Sequence, residues 1–363
     1  MSHPIENTMK HTRILLICVA TALATSAPAE VISGAGSSAA APIYKTWAAE
    51  YQKVSGNILN YDAVGSSAGV KKIGAREVDF GASDVAPPES ELGKLGLVVF
   101  PIAITGIVPV VNLPKISDGQ LRMSGDVLAR IYLGEIAQWN APPIAQLNPN
   151  LSLPDLPIRV IARSDGSGTT FNFTDYLSKV NATWKSGNGT KSTIAWPGNF
   201  VAVKGSDGVV KAVKETVGGI GYVDYGYVKE NRLVGIQMRN SDNEFVTAGV
   251  GTFRAALQAS EWSGKGTFNS TLTNQPGKSS WPITMGTFAL VPQVTDKPEQ
   301  TQRALKFFVW AFTSGDALVQ SQNFVRLPDR VQAAAFKSIT SVRDKSGNLI
   351  GLGLYGGTSR PSP

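Results

Sequence analysis

Three short turns of glycine and hydroxyl residues recur along this 363-residue chain: Gly34-Ala35-Gly36-Ser37-Ser38, Gly65-Ser66-Ser67-Ala68-Gly69 and Ser164-Asp165-Gly166-Ser167-Gly168-Thr169. Glycine lets a backbone approach a ligand closely, and Ser and Thr add short O–H donors. Where such a turn follows a strand and opens a helix, first-turn amides and the positive helix end converge on one spot, which suits an anion. Arg163 stands directly before the third turn, and Asp84 closes the run Asp79-Phe80-Gly81-Ala82-Ser83. A guanidinium grips an oxyanion through two charge-assisted bonds. A carboxylate beside an anion makes sense when the anion carries a proton to donate. Taken singly, each turn reads equally as an ordinary helix cap, Asp84 as a cap or turn carboxylate, and Arg163 as a salt-bridge partner of Asp165. Three such turns in one chain, one of them preceded by Arg, point to oxyanion binding.

Much other chemistry is excluded. The two histidines, His3 and His11, and the single Cys18 all precede residue 30. Without that stretch there is no Ser-His-Asp triad, no Cys nucleophile, no Cys/His zinc site, no haem ligated through His or Cys, and no disulfide. None of the three turns ends in the Gly-Lys-Ser/Thr of a nucleotide loop, and Ala39 stands where a dinucleotide fingerprint wants its third glycine. The absence of Ser-x-x-Lys disfavours a β-lactamase-type serine enzyme. The net charge of +7 is dispersed, with Lys71-Lys72 the one adjacent basic pair. That is not the basic stripe of a nucleic-acid binder. Lys71, Lys72 and Lys204 read as solvated surface, with electrostatic steering as a secondary role.

The elements that must position these turns alternate strand and helix. Short strands are expected at Val31-Ile32, 57–61, 79–83, 158–162, 219–223 and 283–291. Helices are expected at 42–51, from Gly65 to about 75, 124–133, from the third turn to about 180, 207–216, 298–313 and 328–338. Two apolar runs, 97–104 and 106–111, flank Thr105. The alternation argues for an α/β fold with parallel sheets covered on both faces. Trp47 and Trp310 fall on apolar helix faces and read as core. A sugar-stacking role for Trp47, Trp139, Trp196, Trp281 and Trp310 is the competing idea. Four Asn-x-Ser/Thr sequons, at Asn172, Asn181, Asn188 and Asn269, read as chance.

At the amino terminus Lys10 and Arg13 precede an apolar run from Ile14 to about Thr25, followed by Ser26-Ala27-Pro28-Ala29. This is the layout of an export signal, residues 1–29, with cleavage after Ala29 and after Ala27 as second choice. The run is too short for a transmembrane helix. Ile17 before Cys18 argues against lipidation. The protein is therefore expected to be exported.

The strings SGAGSSAAAPIYKTWAAEYQ (33–52), GSSAGVKKI (65–73) and VDFGASD (78–84) closely resemble the periplasmic phosphate-binding proteins of the Pst-type ABC transporter. The resemblance continues through IYLGEIAQWN (131–140), LNPNLSLP (147–154), ARSDGSGTTFNFTDYL (162–177), GGIGYVDYGYVKEN (218–231), WPIT (281–284) and LKFFVWA (305–311). It covers the chain after residue 30, in the family's own order.

The resemblance implies a two-lobe Venus-flytrap fold, the type II periplasmic-binding-protein architecture, with ligand held between the lobes. With crossings near Thr105 and Pro282, residues 30–105 and 283–363 would form one lobe and 106–282 the other. Its implied phosphate ligands are Ser38, the Ala39 amide, Ser66, Asp84, Arg163, Ser167, Gly168 and Thr169, with Asp165 orienting Arg163. Inorganic phosphate, as hydrogen phosphate, would be the ligand, the periplasm the compartment, and the permease subunits and ATPase of an ABC importer the partners. No cofactor, metal or enzymatic activity is implied. The family usually has Thr then Phe where this chain has Ser38 and Ala39; Ser keeps the donor, while Ala removes packing over the site. Ser164 replaces a usual Ala.

In physical terms Asp84 would accept the proton of hydrogen phosphate. Sulfate has none to give, so an unpaired buried carboxylate would discriminate by on the order of a thousandfold. Two alternatives stand beside this reading: a phosphatase on the same scaffold, and a binder of another oxyanion such as sulfate, molybdate or tungstate.

Overall fold

The computed structural model of the protein describes residues 29–351. The expected export signal, apart from Ala29, lies outside the described residues, as does the chain from 352 onward.

The main sheet has nine strands: β1 (Val31–Gly36), β2 (Ile58–Asp62), β3 (Phe80–Ser83), β4 (Leu97–Asn112), β5 (Arg159–Arg163), β6 (Phe200–Val203), β7 (Gly219–Asp224), β8 (Val234–Gly235) and β9 (Thr284–Pro292). The helices that matter for the site are α1 (Ala41–Ser55), α2 (Ser66–Gly74), α3 (Gly168–Val180), α4 (Gly205–Glu215), α5 (Tyr225–Asn231), α6 (Pro298–Thr313) and α7 (Asp329–Thr340). Strand order is β2-β1-β3-β9-β4-β7-β5-β6, with β8 also on β4. The outer pairs β1–β2, β1–β3, β5–β6 and β5–β7 are parallel.

The expectation of parallel sheets fails at the centre. There β9 runs antiparallel to both β3 and β4, and β4 runs antiparallel to β7 and β8. β9 lies between β3 and β4, which therefore run parallel to each other and are joined through the helix Glu89–Leu95.

The two apolar runs around Thr105 are one 16-residue strand, β4. Its neighbour changes midway: β4 pairs with β9 up to Gly106 and with β7 from Ile107 onward. Thr105 is 0 % exposed because its hydroxyl is satisfied by the carboxylate of Asp224, at 2.5 Å. That polar pairing is what lets a hydroxyl sit inside a buried apolar strand.

Aromatic clusters fill the core on either side of this changeover. Tyr44, Trp47, Phe80, Phe307 and Phe308 pack together beneath β1 and β3, and Tyr132, Phe173, Trp196 and Tyr222 beneath β5 and β7. The spacing of Ile43, Trp47 and Tyr51 turns one face of α1 inward, as expected. Trp310 is partly buried, with its ring 5.1 Å from that of Tyr51. Trp139, Trp196 and Trp281 are buried, so they form core and offer no stacking platform. The helix at Gly125–Tyr132 starts as expected, its Ser124 cap accepting from Val127. Strand β6, the short apolar run Phe200-Val201-Ala202-Val203, is not among the expected strands.

Candidate functional site

The three glycine-hydroxyl turns meet. Each lies where a strand of the main sheet gives way to a helix: β1 to α1, β2 to α2, and β5 to α3. β1 can pass β3 so closely only because residue 36 is glycine, with φ 150°. A Cβ there would stand 1.9 Å from the Ala82 carbonyl oxygen. Gly168 faces the other two segments just as tightly, its missing Cβ leaving room for Ser66 Oγ at 2.6 Å and Asp84 Cβ at 2.8 Å.

All of the residues singled out from the sequence are drawn into this junction. Ser38, Ala39, Ser66, Asp84, Arg163, Ser167 and Thr169 are each no more than 4 % exposed. The amides of Ser66, Gly168 and Thr169 belong to helix first turns and have no intrahelical acceptor. Asp165 holds Arg163 through both carboxylate oxygens, Nε to Oδ1 at 2.6 Å and Nη2 to Oδ2 at 2.5 Å. The Arg163 fork is thus fixed in direction with donors to spare. Asp165 also accepts from the Gly205 amide. Burial works to raise its pKa, but Arg163 and the backbone donors outweigh burial and hold the carboxyl below its ordinary range.

The hydroxyls share a pattern. Ser66 Oγ accepts from the Asp84 amide at 3.2 Å, Ser167 Oγ from Thr170 at 3.0 Å as the cap of α3, and Ser38 Oγ from Ser206 at 3.2 Å. Each oxygen thus has lone-pair capacity already committed to a backbone amide; Ser38 Oγ also shares a hydrogen bond with Ser206 Oγ at 2.9 Å, in which either hydroxyl can donate. A ring of such groups is a donor surface. Thr169 Oγ1 is buried and has no hydrogen-bond partner among the described residues.

The exception to this donor surface is Asp84. Its carboxylate is buried and accepts from Ser37 Oγ, 2.7 Å from each oxygen. Burial pushes its pKa up. The hydroxyls of Ser37, Thr287 and Ser66 and the charge of Arg163 pull it part of the way back, leaving it raised. Thr287 Oγ1 acts on the carboxylate from outside hydrogen-bonding geometry, and it is a second buried hydroxyl without a partner among the described residues.

Several residues here escaped the sequence reading: Ser37, Ser206, Thr287, Asn172 and Tyr227. Asn172, one of the sequons, is buried and donates to the Asp84 and Gly168 carbonyls at 2.8 and 2.9 Å. Tyr227 in α5 donates to the Ser38 carbonyl at 2.9 Å, and the Ser67 amide to the Gly166 carbonyl at 3.1 Å. The common signal that could have found them is a polar residue at a helix start or within a buried run. Lys72 pairs with Glu77 at 3.3 Å on the surface. Lys71 lines a cleft of about 470 Å³ that opens beside Ser66 and Gly168. Among the described residues no group of three or more His, Cys, Asp or Glu side chains is arranged to hold a metal, and no helix is long and apolar enough to cross a membrane.

A model of the PBP superfamily domain matches residues 22–309. The chain is 40% identical over 343 residues to the phosphate-binding protein PstS of Pasteurella multocida, covering 94% of this chain and 99% of that one. It is 44% identical over 302 residues to PstS of Haemophilus influenzae, covering 83% and 90%. Among solved structures it is similar to a high-affinity periplasmic phosphate-binding protein (PfluDING) bound with phosphate, with TM-score 0.70, 21% identity, and 91% and 99% of the two chains covered. It is also similar to a phosphate-binding protein from Stenotrophomonas maltophilia, with TM-score 0.61, 18% identity, and 84% and 92% covered. At these identities the structural likenesses speak for the fold.

Proposed function

Because this chain belongs to the PBP superfamily and, within it, to the PstS phosphate-binding proteins, we propose that it binds inorganic phosphate for an ABC importer. The observation that carries the reading is a buried Arg and a buried Asp set among hydroxyls whose oxygens accept from backbone amides. We assign phosphate contacts to Ser38, the Ala39 amide, Ser66, Asp84, Arg163, Ser167, Gly168 and Thr169, with Asp165 aiming the guanidinium.

The chemistry follows from the donor count. Hydroxyls and first-turn amides satisfy the oxygens of the anion without adding full charges. Arg163 supplies the one positive charge and two parallel N–H donors. Asp84 takes the proton of hydrogen phosphate as a hydrogen bond. Facing sulfate, the same carboxylate meets lone pairs, and the clash of two buried acceptors costs several kcal/mol.

Residues 30–105 with 283–363, and residues 106–282, are the two lobes of the reading, with the hinge where β4 changes partners. Ligand donors from both favour the closed form, because only there does one anion meet both sets. Residues 1–29 direct export to the periplasm, where the permease subunits and ATPase of the importer are the partners. The protein acts as a binding protein and not as a phosphatase, in line with the names of its relatives.

Equilibrium dialysis with labelled phosphate, alongside an assay for phosphate release from a monoester in the presence of divalent metal, tests this directly. Saturable binding without release is expected. Release without binding would overturn the reading.

A further inference from the structure

Ser37 is one residue short of the predicted contacts. Its side chain is 1 % exposed, and its oxygen accepts from the Ala40 amide at 3.2 Å. Its proton then points at Asp84, whose two oxygens both stand 2.7 Å away. The chain segment around Ser37 is itself pinned, since Tyr61 donates to the Ser37 carbonyl at 2.7 Å and the Ser37 amide donates to the Ala82 carbonyl at 2.9 Å. A donor held this firmly between the two oxygens of a carboxylate leaves that carboxylate one orientation.

We propose that Ser37 is a positioning residue for Asp84: its hydroxyl fixes the carboxylate's direction and its ionised form, so that the site admits only an oxyanion still carrying a proton. This rests on the phosphate-binding reading and adds to it the group that sets the selectivity. A carboxylate that stayed ionised only weakly would pick up a proton, become a donor, and accept sulfate as readily as phosphate. The other groups facing Asp84 act in both directions. Arg163 favours the ionised form, while Asp224 at the end of β7 and the buried phenols of Tyr44 and Tyr61 are coupled to it unfavourably when charged. Asp165 neutralises much of Arg163. Ser66 and Thr287 supply the remaining hydroxyls. Ser37 is the hydroxyl that contacts both carboxylate oxygens.

The test is Ser37→Ala, followed by two readouts between pH 5 and 9. Carbon-13 NMR of the Asp84 carboxyl, without added anion, should show a titration midpoint about one unit higher than in the unsubstituted protein, the effect of losing one strong hydrogen bond to the charged form. Sulfate affinity should begin to rise at a correspondingly higher pH, giving roughly tenfold tighter sulfate binding at the mildly acidic end. Ser37→Cys, nearly the same size but a poorer donor, should shift both readouts the same way and serves if the alanine variant does not fold. An unmoved or lowered midpoint, or an unchanged sulfate profile, overturns the proposal. Failure of the unsubstituted protein to bind phosphate would instead overturn the functional reading and leave the NMR comparison standing.

Discussion

The amide of Ser206 donates to Ser38 Oγ at 3.2 Å, and the hydroxyls of the two residues are 2.9 Å apart. Ser38 follows β1 and Ser206 lies in the first turn of α4, so this contact ties segments 168 residues apart next to the anion site. Ser206→Ala removes one hydroxyl of the tie and keeps the amide. One buried hydrogen bond of about 1 kcal/mol corresponds to a roughly fivefold faster dissociation of phosphate if the bond forms only in the closed state. Stopped-flow measurement of phosphate release checks this, and an unchanged rate would place the tie outside the closing motion.

Gly168→Ala should damage the site far more than the fold. The added methyl would press on Ser66 Oγ at 2.6 Å and on the Asp84 Cβ and amide at 2.8 and 2.9 Å. Alanine is otherwise welcome at the start of a helix. Phosphate affinity should fall by at least about tenfold, the scale of a modest overpacking penalty, with little loss of thermal stability. A tight-binding Gly168→Ala would show that the three turns do not converge on the ligand.

Asp84→Asn should erode selectivity more than affinity. The amide keeps an acceptor oxygen for the phosphate proton, so phosphate should lose about 1–2 kcal/mol or less. It removes the negative charge, so sulfate should gain. Arg163→Lys is the contrast: it breaks the fork and should weaken both anions alike. Titration of each variant with each anion is the measurement. An unchanged phosphate-to-sulfate ratio in Asp84→Asn would make Asp84 a structural carboxylate.

Asp224 gives the protein a pH signature of its own. Burial, and to a lesser degree the nearby charge of Asp84, push its carboxyl from the ordinary 3.8 up to about 7, while Thr105 and the Gly226 amide hold it down in part. Between those values the folded protein keeps a proton that the unfolded chain has released. This residue's contribution to stability is therefore best at the acid end, falls as pH rises toward 7, and stays low above it. The slope is at most about 1.4 kcal/mol per pH unit. Asp224→Asn, which preserves the acceptor for Thr105, should flatten that slope in denaturant unfolding followed from pH 4 to 8. An unchanged difference between variant and parent across that range would show the carboxyl to be ionised throughout.

The site was legible where function and local structure share a signal. Ser66, Ser167 and Gly168 announce themselves because a helix start wants the same small residues that an anion wants. Arg163 and Asp84 were legible chiefly through resemblance, since a lone Arg beside an Asp reads as a surface ion pair. Ser37, Ser206 and Thr287 were not, because their meaning lies in partners brought near by tertiary packing: Ser37 meets Asp84 47 residues on. In the fold, the helices at 42–51 and 298–313 emerged from periodicity and recur within α1 and α6. The antiparallel centre did not, because a fully buried strand such as β9 looks the same whichever way its neighbours run. For the same reason β4 read as two elements: Thr105 interrupts the apolar run in sequence, yet in space its hydroxyl is answered by Asp224.

Calorimetric titration of the exported protein with phosphate and with sulfate, at neutral pH and equal ionic strength, goes straight to whether a buried carboxylate selects the protonated oxyanion. Phosphate should bind at one site per chain, and sulfate should be weaker by on the order of a thousandfold. Equal affinity for the two anions, or heat from sulfate alone, would contradict it.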